Sequence, residues 1–109
     1  MSRTTLFTVL MTASVAAPAA TFVVDTSSDG TLSGCNDAVA ADCTLRGAID
    51  RANANADSDT IAFALPTDDA GYQATTQHWR LAAGSSLPNI LQPLIIDGYT
   101  QPGALPNAN

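Results

Sequence analysis

The chain has no lysine and no glutamate: its four basic residues are arginines and its ten acidic residues are all aspartate. With a formal charge of −6 and no basic cluster, its surface repels phosphate backbones and anionic headgroups, which excludes nucleic acid as a partner. Aspartate without glutamate removes a good helix former and keeps a side chain that bonds to nearby backbone and favours caps and turns. A turn-rich, mainly β protein is expected. Two cysteines and one histidine, with no CxxC pair, fall short of a four-ligand zinc set. There is no Gly-x-Ser-x-Gly nucleophile setting and no phosphate-cradling glycine loop. At 109 residues the chain holds at most one domain with a thin core.

What is present begins with a leader. Arg3 is followed by the apolar run Leu6 to Ala17, and Ala17-Pro18-Ala19 places small residues at the two positions that a signal peptidase reads. Residues 1–19 are expected to be a signal peptide and residues 20–109 one exported unit, extracellular or at the cell surface (periplasm or outer membrane in a Gram-negative). The competing membrane anchor would use the uncharged span Thr4 to Val24, which threonines, Ser14 and Pro18 weaken. No membrane span is expected after cleavage. Loss of Arg3 makes the charge one unit more negative.

Thr21 to Asp25 is a β-branched and aromatic run stopped by the turn cluster Thr26 to Gly30, which predicts a first strand and a loop. Cys35 and Cys43 follow. In an exported chain the simplest reading is a disulfide, worth about 2.5 kcal/mol in the chain-entropy model for so small a loop. The alternative is a nucleophilic Cys43 thiolate at a helix N-terminus, with His78 as base.

Leu45, Ala48, Ile49 and Ala52 fall at i, i+3, i+4 and i+7, the spacing of one helix face. Thr44 or Asp42 is placed to cap this helix, Arg46 and Asp50 are spaced to pair on its exposed side, and it should end between Asn53 and Asn55. Thr60 to Leu65 then reads as a strand stopped by Pro66.

At these residues the chain resembles the CSLREA module of bacterial secreted proteins. The motif stands as Cys43-Thr44-Leu45-Arg46-Gly47-Ala48-Ile49, Ala52-Asn53 and Asp59-Thr60-Ile61-Ala62-Phe63. Leu87-Pro88-Asn89-Ile90, Ile96-Asp97-Gly98 and Thr100-Gln101-Pro102-Gly103 extend the likeness over the rest of the chain. The resemblance implies the N-terminal cap and first coils of a right-handed parallel β-helix, an incomplete solenoid with one short capping helix. It implies no catalytic residues and no cofactor. Gly47 stands where the family usually has Glu, which removes the capping-box partner of Thr44 and costs about 1 kcal/mol in helix propensity. A Glu at that position is therefore expected to raise stability.

In the second half, Thr67 to Gln77 reads as a polar loop, Trp79 to Leu81 as a strand, and Leu87 to Ile90 and Pro93 to Asp97 as two further short strands. His78 and Trp79 could form a sugar-binding platform, although Trp79 at strand spacing with Leu81 also suits a core. Asp57, Asp59, Asp68 and Asp69 lack the spacing of a calcium loop and read as turn residues. The functional expectation is a non-catalytic structural or interaction module. Its partners would be downstream β-helix rungs or another copy through an open end, or a polysaccharide or other cell-surface component. The alternative is the start of a polysaccharide lyase or hydrolase on the same scaffold.

Overall fold

A computed structural model describes residues 19–105, so the leader expected over residues 1–19 lies outside the described residues except for Ala19. The apolar runs found in the sequence form a parallel sheet. Strand β1 (Thr21–Val24) pairs with β2 (Asp59–Phe63), and β2 pairs in turn with β3 (Leu94–Ile96). The register sets Phe22 beside Ile61 and Ile61 beside Ile96 on one face, and Thr21 beside Thr60 and Thr60 beside Ile95 on the other. Period-two alternation explains why Phe22, Val24 and Ile61 are buried together.

Helix α1 (Leu45–Asn53) connects β1 to β2 and lays its apolar stripe over them. Ala48, Ile49 and Ala52 are buried against Phe22, Val24, Ile61 and Leu65, with Leu45 half-buried at the margin. Full burial of Ile49 contributes about 1.5–3 kcal/mol relative to its exposure. The architecture is therefore mainly β, with one helix covering a three-stranded parallel sheet.

The connection between β2 and β3 contains a small antiparallel hairpin, Tyr72–Gln73 with His78–Trp79. Tyr72 and Gln73, inside the segment read from sequence as a polar loop, are thus paired, because Gln77 adopts a left-handed conformation (φ 57°) that closes the turn back onto Gln73. Leu87 to Ile90 forms no strand. Its backbone is instead held by the Asn53 side chain, which donates to the Asn89 carbonyl (2.8 Å) and accepts from the Leu91 N–H (2.8 Å).

Two expectations for the helix are corrected. Arg46 does not meet Asp50. It reaches across to Asp29, as described below. Gly47 is not a weak point, because a Cβ built there would lie 1.9 Å from the Leu32 carbonyl oxygen and 2.4 Å from its carbon. The helix passes so close to the 32–33 backbone that only glycine fits. Gly47→Ala and Gly47→Glu are therefore expected to lower stability by about 1–3 kcal/mol through overpacking, despite the gain in helix propensity. Urea unfolding followed by circular dichroism measures this, and a raised midpoint for either variant would contradict the close approach.

Candidate functional site

The motif residues form a structural knot in which each side chain has a separate contact. Cys43 is fully buried and disulfide-bonded to Cys35, which closes the loop expected from sequence and leaves no thiolate for catalysis or metal. Its N–H donates to the Asp25 carboxylate (2.9 Å), while its carbonyl accepts from the Asp25 N–H (3.0 Å), so the staple is tied to the end of β1.

Thr44, with no exposed surface, is the N-cap of α1. Its hydroxyl donates to the Gly30 carbonyl (2.6 Å) and accepts from the N–H groups of Gly47 (2.9 Å) and Leu32 (3.2 Å). One buried oxygen thus satisfies an orphan donor of the helix and docks the loop that precedes it.

Arg46 uses the fork of its guanidinium on two separate segments of backbone. It pairs with the Asp29 carboxylate (2.9 Å) and donates to the carbonyls of Asp29 (3.0 Å), Ser85 (3.1 Å) and Ser86 (2.8 Å). Asp29 also accepts from the Gly84 N–H (2.8 Å), and that bond together with Arg46 holds its carboxyl below the ordinary value of 3.8. Asp69 is depressed too. Burial opposes its ionisation, but hydrogen bonds from Ser27, Gly71 and Thr26 outweigh the burial.

The His78 and Trp79 pair nominated from sequence lies on a cleft of about 590 Å³ at the C-terminal end of β2. Phe63 and Leu65, Thr76 to Trp79, and Tyr99, Gln101 and Leu105 line it. Trp79 serves both readings. Its ring packs against the core and against Tyr72 (centroids 4.8 Å apart), with its indole N–H donated to the Pro66 carbonyl (2.8 Å), while part of it faces the cleft. His78 is exposed and hydrogen-bonded through Nδ1 to the Thr76 hydroxyl.

Tyr99 is the residue that the sequence reading missed. It is 64% exposed and reaches the cleft because Asp97 caps the turn Gly98–Thr100, accepting from the Tyr99 N–H (3.0 Å). The Asp-Gly pair before it was the available signal. Gln101 ties two parts of the lining together: its amide accepts from the Leu65 N–H (2.7 Å) and donates to the Leu65 carbonyl (2.9 Å). The cleft lining contains no carboxylate, and among the described residues no group of three or more His, Cys, Asp or Glu side chains could hold a metal ion. No helix of the described residues is long and apolar enough to cross a membrane.

Comparison with family models, curated proteins and solved structures returned no match to the chain.

The depressed carboxyls have a consequence for acid stability. A carboxylate whose folded value lies below its unfolded value stabilises the fold fully above the unfolded value, here near 3.8, and loses that contribution as pH falls through the folded value. The urea midpoint is therefore expected to drop between about pH 6 and about pH 2.5, and Asp29→Asn should lower the midpoint at the higher pH while shrinking the drop. An unchanged drop in that variant would exclude Asp29 from acid unfolding.

Proposed function

We propose that this protein is a non-catalytic structural and interaction module that begins a parallel β stack in an exported protein, as its resemblance to the CSLREA module implies. The observation that carries this reading is the outer edge of β3. Strands β1, β2 and β3 are laid side by side in parallel register, and β3 pairs only with β2 among the described residues. The strand exposes Ile95 (57%) and Ile96 (47%), and the segment before it exposes Ile90 (54%) and Leu91 (70%).

An unprotected edge of this kind, without lysine or a covering helix, is a template for another strand. Its occupant is a further parallel strand in register with β3, which would repeat the step that β2 makes on β1 and cover Ile96 as Ile61 is covered. On this reading the stapled helix α1 is the cap of the stack, and the cystine and signal belong to an exported protein.

A second reading is favoured by the cleft. Trp79, Tyr99 and His78 in one lining, with Gln77 and Thr76, supply aromatic surface and neutral hydrogen-bonding groups suited to the apolar and hydroxyl faces of a sugar. The negative chain favours a neutral saccharide over a polyuronate. Without a carboxylate in the lining, the pair that glycosidic hydrolysis uses is not available there, so this reading is contact and not cleavage.

For the stack, sedimentation velocity of the exported chain should show association that grows with concentration. Ile95→Lys should return it to monomer with the circular dichroism spectrum unchanged, and a monomer at every concentration would overturn the proposal. For the cleft, neutral oligosaccharides should change the emission of the single tryptophan, Trp79, with saturation, and Tyr99→Ala should weaken that binding about tenfold or more. No saturable change with any neutral oligosaccharide would remove the second reading.

A further inference from the structure

The first described residues meet the core through a buried acid. Asp59 opens β2 and has no exposed surface. Its Oδ1 accepts from the backbone nitrogen of Ala20 (2.8 Å) and from the Asn55 side-chain amide (2.8 Å), whereas its Oδ2, also buried, has no hydrogen-bond partner among the described residues. Burial of a carboxylate with an oxygen left unsatisfied is unfavourable unless a charge compensates it. The backbone nitrogen at this carboxylate is that of Ala20. As an amide it carries one proton, already given to Oδ1.

Ala20 is also the residue that follows Ala17-Pro18-Ala19, the pattern of small residues after which the leader is expected to be cut. Ala19 is exposed and Ala20 half-buried, so the peptide bond between them lies at the surface of the fold. We propose that cleavage after Ala19 creates the ligand of Asp59: the new α-ammonium group of Ala20 forms a buried ion pair with the Asp59 carboxylate. In that step an endopeptidase adds water to the Ala19–Ala20 amide. The C–N bond breaks, Ala19 leaves as a carboxylate, and the nitrogen of Ala20 takes up two protons to become an ammonium. That nitrogen then has three protons beside two carboxylate oxygens, one of which lacked a donor.

The pair seats the N-terminus at a junction. The Ala20 carbonyl accepts from the Thr60 N–H (2.9 Å), and the Asp59 N–H donates to the Pro93 carbonyl (3.3 Å), so one carboxylate lies between the start of β1 and the entry to β3. The proposal rests on the leader reading of the sequence and is independent of what the cleft or the β3 edge binds.

The composition supplies a clean probe. With no lysine in the chain, the α-amine of the processed protein is its only primary amine, and an acylating reagent reads that group alone. The chain exported from a bacterial host is first weighed intact. A mass that starts at Ala20 supports the proposal, and any other start overturns it.

The acylation rate is then compared with that of a chain retaining Ala19, whose amine is displaced by one residue while the Ala20 N–H still reaches Asp59. The processed chain should react at least about tenfold more slowly, since a buried partner both shields the amine and withholds its free-base form. Equal rates would overturn the ion pair. Asp59→Asn in the processed chain should restore fast acylation, and a rate that stays slow would equally exclude Asp59 as the partner.

Discussion

The hydroxyl of Thr44 is the contact on which the rest depends. It donates to Gly30, accepts from Leu32 and caps α1 through Gly47, all without access to water. A buried hydroxyl with its donor and acceptor capacity used in this way is stabilising only while all its partners stay in place, so it fixes the loop and the helix start as one unit. The close approach of Gly47 to the Leu32 carbonyl follows from it. With the helix start fixed at this height, Ile49 and Ala52 come down on Phe22 and Ile61, and the thin core closes.

Much of this is legible in the sequence. Leu45, Ala48, Ile49 and Ala52 repeat at the helical period, and the runs from Thr21, Thr60 and Pro93 are bounded by turn residues, so the helix and the three strands of the sheet follow from local chemistry. Thr44 as cap and the cystine were legible for the same reason. Gly47 was misread because a glycine inside a helix has a known local cost, whereas its reason for being there is a carbonyl from a segment 15 residues earlier. Arg46 was misassigned likewise: an i, i+4 partner is visible in sequence and Asp29 is not. The cleft shows the same division. His78 and Trp79 are adjacent in sequence and could be nominated together, but Tyr99 joins them only through the path of the chain after β3.

Loops make up most of the described residues, and they are held by single long side chains more than by ladders. Arg46 gathers the 29 and 85–86 segments, Asn53 the 89–91 segment, and Gln101 the backbone of Leu65, while the Thr100 hydroxyl accepts from the Phe63 N–H (2.8 Å) beyond the last pairing of β2 with β3. A side-chain amide that both donates and accepts presents the same pair of groups as a neighbouring strand residue. Where no strand lies alongside, Asn53 and Gln101 take that part. This explains how a chain with few regular elements satisfies its backbone, and why the residues flanking its apolar runs matter as much as the runs themselves.

The clamps made by Arg46 have an evolutionary corollary. The acceptors at Ser85 and Ser86 are main-chain carbonyls, which any residue supplies, while the donor is a planar fork that lysine cannot reproduce. Substitution is thus nearly free at the receiving positions and forbidden at the giving one.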